Sequence, residues 1–203
     1  KFTCITINYF NMLEISFSPF PERRTERLLL RSISMTDAAT LFQIRTLPEL
    51  FTYFGREPFK TIQESEEHIA LLLKNLANND GVIWAIALKE SPETLIGTIG
   101  YWRFMKEHFR AEIGYMLHPG YWNRGIMKEA LKEVIKYAFN DTAIHSIEAN
   151  IDPENVASGR LLESCGFIVE GYFKENYYSK GVFKDSKIYS LIKGYPTAGI
   201  ANV

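Results

Sequence analysis

Three apolar runs, Val82 to Leu88, Leu95 to Phe104 and Ala111 to Leu117, follow one another across short polar connections, and directly after the third the hydrophobic period changes. Runs of this length bounded by turn-forming residues such as Lys89-Glu-Ser-Pro-Glu93 read as antiparallel strands, so residues 82 to 117 form a β-meander. Beyond it Met127, Ala130, Leu131, Val134, Ile135 and Ala138 recur at helical spacing and stop before Asn140-Asp141. A chain that passes from a meander straight into an amphipathic helix has to build a sheet with that helix laid on one face.

The flanking sequence extends the pattern. Arg27 to Arg31 reads as a strand, Thr36-Asp37 opens a helix carrying Ala38, Leu41, Phe42 and Arg45, and a second helix runs from about Glu64 to the Asn78-Asn-Asp-Gly81 stop. After the central helix come a strand over 146–151, a helix over 155–164 and strands over 167–173 and 183–192. The order β-α-α-β-β-β-α-β-α-β-β, without repeats or a low-complexity linker, predicts a single α/β (α+β) domain with a mixed, mostly antiparallel twisted sheet flanked by helices.

Composition narrows the function. With 203 residues, 46% hydrophobic and 23% charged, the chain has an ordinary globular make-up. A formal charge of -1 and a pI near 6.5 offer no basic face for nucleic acid, so any anion site must be local. Cys4 and Cys165 lie far apart, outside any zinc-type spacing, and read as free thiols in a reducing compartment. No apolar run is long enough to span a bilayer, and residues 1 to 11 interleave polar groups where a signal peptide would be apolar. These features predict a cytoplasmic protein without metal, nucleic-acid or membrane partners. Met12 opens a stretch that looks more like an ordinary start than Lys1 does, which leaves residues 1–11 as either an upstream extension or a non-native remnant.

At the change of period stands Tyr121-Trp-Asn-Arg-Gly-Ile-Met-Lys128. A helix N-terminus presents unpaired N–H groups and a partial positive charge, and a glycine there lets the backbone approach a ligand. Asn123 to Lys128 could therefore cradle a diphosphate, with Arg124 and Lys128 adding charge; the plainer alternative is a helix start with Asn123 as N-cap and Gly125 incidental. A second stretch, Asp152-Pro-Glu-Asn155-Val-Ala-Ser158 through Gly166-Phe167, reads as a short helix capped by Asn155 and closed at Gly166.

Together these stretches resemble the GNAT superfamily of N-acetyltransferases, in its Rim-type branch of ribosomal-protein alanine/serine N-acetyltransferases. The resemblance rests on Glu112-Ile-Gly-Tyr115, Tyr121 to Ala130 and Asn155 to Phe167, supported by Thr25 to Arg31 and Ile96 to Gly100, and covers about residues 24 to 193. It implies the GNAT fold with splayed central strands over 24–193, flanked by an extension (1–23) and a tail (194–203). It also implies acetyl-CoA as cosubstrate. Its pyrophosphate would lie on Asn123, Arg124, Gly125, Ile126, Met127 and Lys128, with Asn155 nearby, and its pantetheine against the backbone of Tyr115, Met116 and Leu117. Met127 stands where the superfamily pattern has Gly or Ala, so its side chain either narrows the cradle or joins the core.

The implied reaction is direct attack of an amine on the thioester. An α-amine, with a pKa near 8 against about 10.4 for lysine, needs only a modest base. Glu112 is the candidate base, with an exposed strand carboxylate as the alternative. The tyrosine that many members use to protonate the leaving thiolate is Leu162 here; Ser158 is the replacement candidate, or else merely the third residue of its helix. Asn155 could cap, contact cofactor or do both. Glu129 reads as orienting its helix, Cys165 as structural, and His108, His118 and His145 as surface or capping groups. Glu148, Glu175, Tyr177 and Tyr178 lie on strands expected to border the acceptor cleft. The expected acceptor is a protein N-terminus, ribosomal or other, with a small amine (polyamine, amino acid or aminoglycoside) or a non-catalytic acetyl-CoA-binding module as alternatives. A monomer and a homodimer are equally compatible.

Overall fold

The computed structural model describes residues 12–53, 57–179 and 181–195. The expected extension over 1–11 and the tail from residue 196 onward lie outside the described residues. The chain runs β1 (Arg23–Arg24), β2 (Leu28–Ser32), α1 (Ala38–Ile44), α2 (Ile62–Ala77), β3 (Val82–Leu88), β4 (Gly97–Met105), β5 (Arg110–Leu117), α3 (Ile126–Asp141), β6 (Ser146–Ile151), α4 (Val156–Ser164), β7 (Ile168–Ser179) and β8 (Val182–Ile192). Among the described residues the strands form one sheet in the order β1-β2-β3-β4-β5-β6-β8-β7. All neighbours are antiparallel except β5 and β6.

The meander expected over 82–117 is β3-β4-β5, and the single parallel pair follows from the helix after it, because parallel neighbours need a long crossover and α3 supplies it. Strand alternation sends residues to two cores. Val82, Trp84, Ile86, Ile113 and Leu117 meet Ile126, Met127, Ala130, Leu131 and Val134 of α3 on one face. Ala85 and Met116 face Leu41, Ile44 and Ile69 of α1 and α2 on the other. The result is a sheet between two helical layers.

Three local features differ from the sequence expectation. A short β1 precedes β2, pairing Arg23 with Leu30 and Arg24 with Leu29. The Thr61 hydroxyl caps α2 by accepting the Glu64 amide at 3.3 Å, so the helix begins at Ile62 rather than near Glu64. The late strand extends to Ser179 instead of ending near Phe173, because β7 and β8 continue as a largely solvent-facing hairpin through two register shifts, where no apolar alternation is required. Ahead of β1, Leu13 and Phe17 belong to the main core, and Phe20 packs edge-on against Trp84.

Trp84 organises that core. Its indole N–H donates to the Pro21 carbonyl at 2.8 Å, and its ring meets Tyr101 and Tyr137 edge-to-face. Tyr101 in turn donates its buried hydroxyl to the Val134 carbonyl at 2.9 Å, tying β4 to α3. Among the described residues no helix is long and apolar enough to cross a membrane.

The β3–β4 contact is as tight as backbone allows at Gly100, where an added Cβ would lie 2.1 Å from the Val82 carbonyl oxygen and 2.7 Å from Ile83 Cα. Neither atom can move without separating the strands. Gly100→Ala should therefore cost about 3 kcal/mol, at the upper end of overpacking penalties, and lower Tm by roughly 6–12 °C. A loss below about 1 kcal/mol in chemical denaturation would show that the sheet can open there.

Candidate functional site

The β5–β6 ladder spans only Arg110↔Ser146, Ala111↔Ile147 and Glu112↔Glu148. Beyond Glu112, β5 stays with β4 as far as Leu117 opposite Gly97, while β6 stays with β8 as far as Ile151 opposite Lys187. The two strands therefore diverge, and a cleft of about 620 Å³ opens between them. Ile113 to Met116 line one side and Ala149 to Asp152, with Asn155 and Ser158, the other; Leu41, Arg45, His68 and Leu72 close it from the α1–α2 layer. These are the splayed central strands that the resemblance implied.

At the head of β5 the chain turns sharply. The Trp122 indole N–H donates to the Leu117 carbonyl at 2.8 Å, and His118 caps the turn by accepting the Gly120 amide. Asn123 and Gly125 are both left-handed, with φ of 59° and 73°. This corrects the reading of Asn123 as N-cap: two left-handed residues reverse the chain, and Gly125 occupies the cap itself. An added Cβ on Gly125 would meet only the Arg27 side chain, at 3.5 Å, so glycine is required there for its backbone conformation rather than for space.

The turn is pinned from behind. Glu129 accepts from the Thr25 hydroxyl at 2.5 Å, from the Arg27 amide at 2.9 Å and from the Arg27 guanidinium at 2.7 Å, while Arg27 also donates to the Arg124 carbonyl at 2.9 Å. Glu129 thus fixes the start of α3 against the chain before β2. Ile126 and Met127 are buried in the main core, so Met127 points away from the turn and leaves its mouth unnarrowed. The first amides of α3 have no partner within the helix, and the side chains of Arg124 and Lys128 beside them are exposed. This arrangement suits a diphosphate.

Inside the cleft the Tyr115 hydroxyl and the Ser158 hydroxyl lie 2.7 Å apart. Burial pushes the Tyr115 phenol up to about 12, so it stays protonated through neutral pH. Ser158 is the third residue of α4 and its amide donates to Asn155 Oδ1 at 3.1 Å, so the helical position and the cleft-facing hydroxyl coexist in one residue. Asn155 caps α4 and also lines the cleft. Leu162 is fully buried. Cys165 is half-buried, and burial raises its thiol pKa, in keeping with a structural role.

Glu112 is buried, at 6% exposure, and is not the exposed strand carboxylate of the alternative reading. Arg103 pairs with its Oε2 at 2.7 Å. Burial raises the Glu112 pKa, and Glu148 adds to this, while Arg103 and Arg110 oppose it. Of the late-strand residues expected at the acceptor cleft, Tyr177 lines it; Glu148 lies beside Glu112 in the ladder and pairs with Arg110, and Tyr178 is 65% exposed. Among the residues expected to meet pantetheine, Leu117 has its carbonyl engaged by Trp122, Met116 turns its side chain to the α1–α2 core, and Tyr115 turns its own toward α4.

Sequence reasoning missed Arg45, His68, Trp102 and Arg103, all of which line the cleft. Arg45 carried a signal: it sits in the apolar stripe of α1, stacks over Phe59 at 4.3 Å and approaches His68 at 3.4 Å. Arg103 carried none, because its register depends on an irregularity in β4.

Comparison with known proteins agrees with this geometry. Residues 27–168 match the acetyltransferase (GNAT) domain family. The chain is 34% identical to the N-acetyltransferase YoaA of Bacillus subtilis (strain 168), over 86% of this chain and 98% of that protein. It is 24% identical to a spermidine N(1)-acetyltransferase of Vibrio cholerae, over 79% and 90% of the two chains. The crystal structure of a ribosomal-protein-S5-alanine acetyltransferase from Vibrio fischeri superimposes with a TM-score of 0.74 at 26% identity, covering 85% of this chain and 97% of that one. The chain belongs to the GNAT acetyltransferase family. It is an acetyl-CoA-dependent N-acyltransferase.

If the turn holds the pyrophosphate, Gly125→Val should weaken acetyl-CoA binding at least tenfold in calorimetry, since a β-branched residue disfavours the left-handed conformation. Asn123→Gly, which keeps that conformation accessible, should bind within about threefold of the parent. Equal affinity for parent and Gly125→Val would remove the turn from the cofactor site.

Proposed function

We propose that the protein transfers the acetyl group of acetyl-CoA to the N-terminal α-amine of a polypeptide, a ribosomal protein being the leading candidate, in the cytoplasm. The observation that carries this reading is the charge of the cleft. Its two lining carboxylates each have a basic partner, Arg103 on Glu112 at 2.7 Å and Lys184 on Asp152 at 3.5 Å. A polycation would need carboxylates in excess, whereas a peptide end needs one proton acceptor and room for a neutral chain. The S5-alanine acetyltransferase fold supports the same acceptor class. The spermidine acetyltransferase relative favours a second reading, a small polyamine.

In this reading the α3 amides of Ile126, Met127 and Lys128, with Asn123, Arg124 and Gly125, hold the pyrophosphate, and Asn155 borders it. The open edge of β5 at Tyr115 and Met116 aligns the pantetheine arm; Leu117 contributes by anchoring the turn through Trp122. Bound acetyl-CoA supplies an acyl group activated as a thioester. Glu112 accepts the proton that the attacking amine gives up; burial raises its pKa, which makes it a better proton acceptor than an exposed carboxylate. Ser158, held by Asn155 and Tyr115, presents a hydroxyl to the departing sulfur. The Tyr115 and Ser158 hydroxyls share one hydrogen bond, and with Tyr115 as its donor the serine proton is free to point into the cleft.

Thiol release from acetyl-CoA, with product masses, decides among acceptors. Peptides beginning with Ala or Ser should give kcat/KM at least tenfold above spermidine and free amino acids. The reverse order would assign the cleft to small amines. For Ser158→Ala, kcat should fall about 10²-fold with little change in the acetyl-CoA KM, as expected for a donor felt mainly in the transition state. A purely raised KM would make Ser158 a binding residue.

A further inference from the structure

A row of charged groups crosses one face of the sheet, and its Arg103 and Glu112 line the cleft. Arg103 of β4 pairs with Glu112 of β5 at 2.7 Å and reaches Glu148 of β6 at 3.7 Å. Arg110, two residues before Glu112 on β5, pairs with Glu148 at 2.8 Å, approaches Glu170 of β7 at 3.6 Å and donates to Ser190 of β8 at 2.8 Å. Glu112 is the least exposed carboxylate in the row, with 7% of its side chain accessible against 15% for Glu148 and 37% for Glu170.

A defect in the β-ladder places Arg103 here. Tyr101 is opposite Ile113 and Arg103 is opposite Glu112, so Trp102 is an extra residue in β4. Without that bulge, regular pairing would set Trp102 opposite Glu112 and carry Arg103 one position along. The bulge instead makes Arg103 and Glu112 direct cross-strand neighbours, the kind of re-aiming for which bulges beside active sites serve. Trp102 also steadies the guanidinium, which lies 5.4 Å from the indole.

We infer that Arg103 is a positioning residue for the reaction: through the β4 bulge it supplies the counter-ion that holds the buried Glu112 charged and turned into the cleft. The inference rests on the reading of Glu112 as proton acceptor. The groups facing Glu112 are Arg103 from β4, Glu148 from β6 and Arg110 from its own strand, with Arg45 and His68 lining the same cleft from α1 and α2. Burial and Glu148 favour the protonated carboxyl; Arg103 is the largest influence against it. An ionised base is needed for turnover, so kcat/KM falls as pH drops through the Glu112 pKa. Removing Arg103 raises that pKa and moves the acid limb to higher pH. The ion pair engages Oε2, and the inference assigns the amine to the other oxygen.

The test has two readouts. In ¹³C NMR of protein labelled at glutamate carboxyls, with the Glu112 resonance identified by its loss in Glu112→Gln, Arg103→Met should shift the Glu112 titration to higher pH and Arg103→Lys should restore part of the shift. An unmoved titration overturns the inference without any reference to activity. In kinetics with the best N-terminal peptide, Arg103→Met should lose about tenfold in kcat/KM on the acid limb, a loss that shrinks below about threefold where Glu112 is ionised in both proteins. A loss equal at all pH values, or an unmoved acid limb, overturns it. If Glu112→Gln itself keeps the limb, the assignment of the base fails and the catalytic role of Arg103 fails with it, even where NMR still reports their coupling.

Discussion

The structure turns on a parallel β-ladder of three residue pairs, between Arg110–Glu112 and Ser146–Glu148. It is the only parallel contact among the described strands, and it joins the β1–β5 half of the sheet to the β6–β8 half. Each half is antiparallel and continuous, so each keeps its own twist, and past Glu112 they separate. A longer ladder would have closed the sheet and removed the cleft. A shorter one would leave the halves joined only through α3 and the helical layers.

Because the ladder ends at Glu112, that carboxylate sits at the apex of the opening, buried by the sheet behind it and open to the cleft in front. Its neighbour across the ladder, Glu148, repels it, and Arg103 and Arg110 offset the repulsion. Past the end of β5 the left-handed turn at Asn123 and Gly125 is held by Arg27 and Glu129 against the chain before β2. The short ladder thus leaves a buried carboxylate where the two strands part, while the turn that opens α3 lies past the far end of β5.

Much of the architecture could be read from the chain. The meander, the crossover helix and the Asn155-capped α4 follow from apolar period and turn residues, which depend on local geometry alone. The turn from Asn123 to Lys128 was legible as a helix start carrying a glycine and two basic residues, although the cap proved to be Gly125. Less was legible where strands meet. Arg103 reaches Glu112 only through the extra residue Trp102, and β-bulges leave little trace in a single sequence. The length of β7 was hidden because its hairpin faces solvent and needs no apolar pattern. His68 and Arg45 come to the cleft from helices whose placement over the sheet is a matter of long-range packing.

The sequence by itself determined the order and type of the longer elements and the glycine and basic residues at the start of α3, since each follows from the conformational preference or periodicity of neighbouring residues. Tertiary structure alone decided that β5 and β6 part after Glu112, that Tyr115 meets Ser158 across the opening, and that Arg103 rather than Trp102 faces the buried carboxylate. Those outcomes depend on register and on the competition of two sheet halves for the same strands, and both are fixed by contacts between residues far apart in the chain.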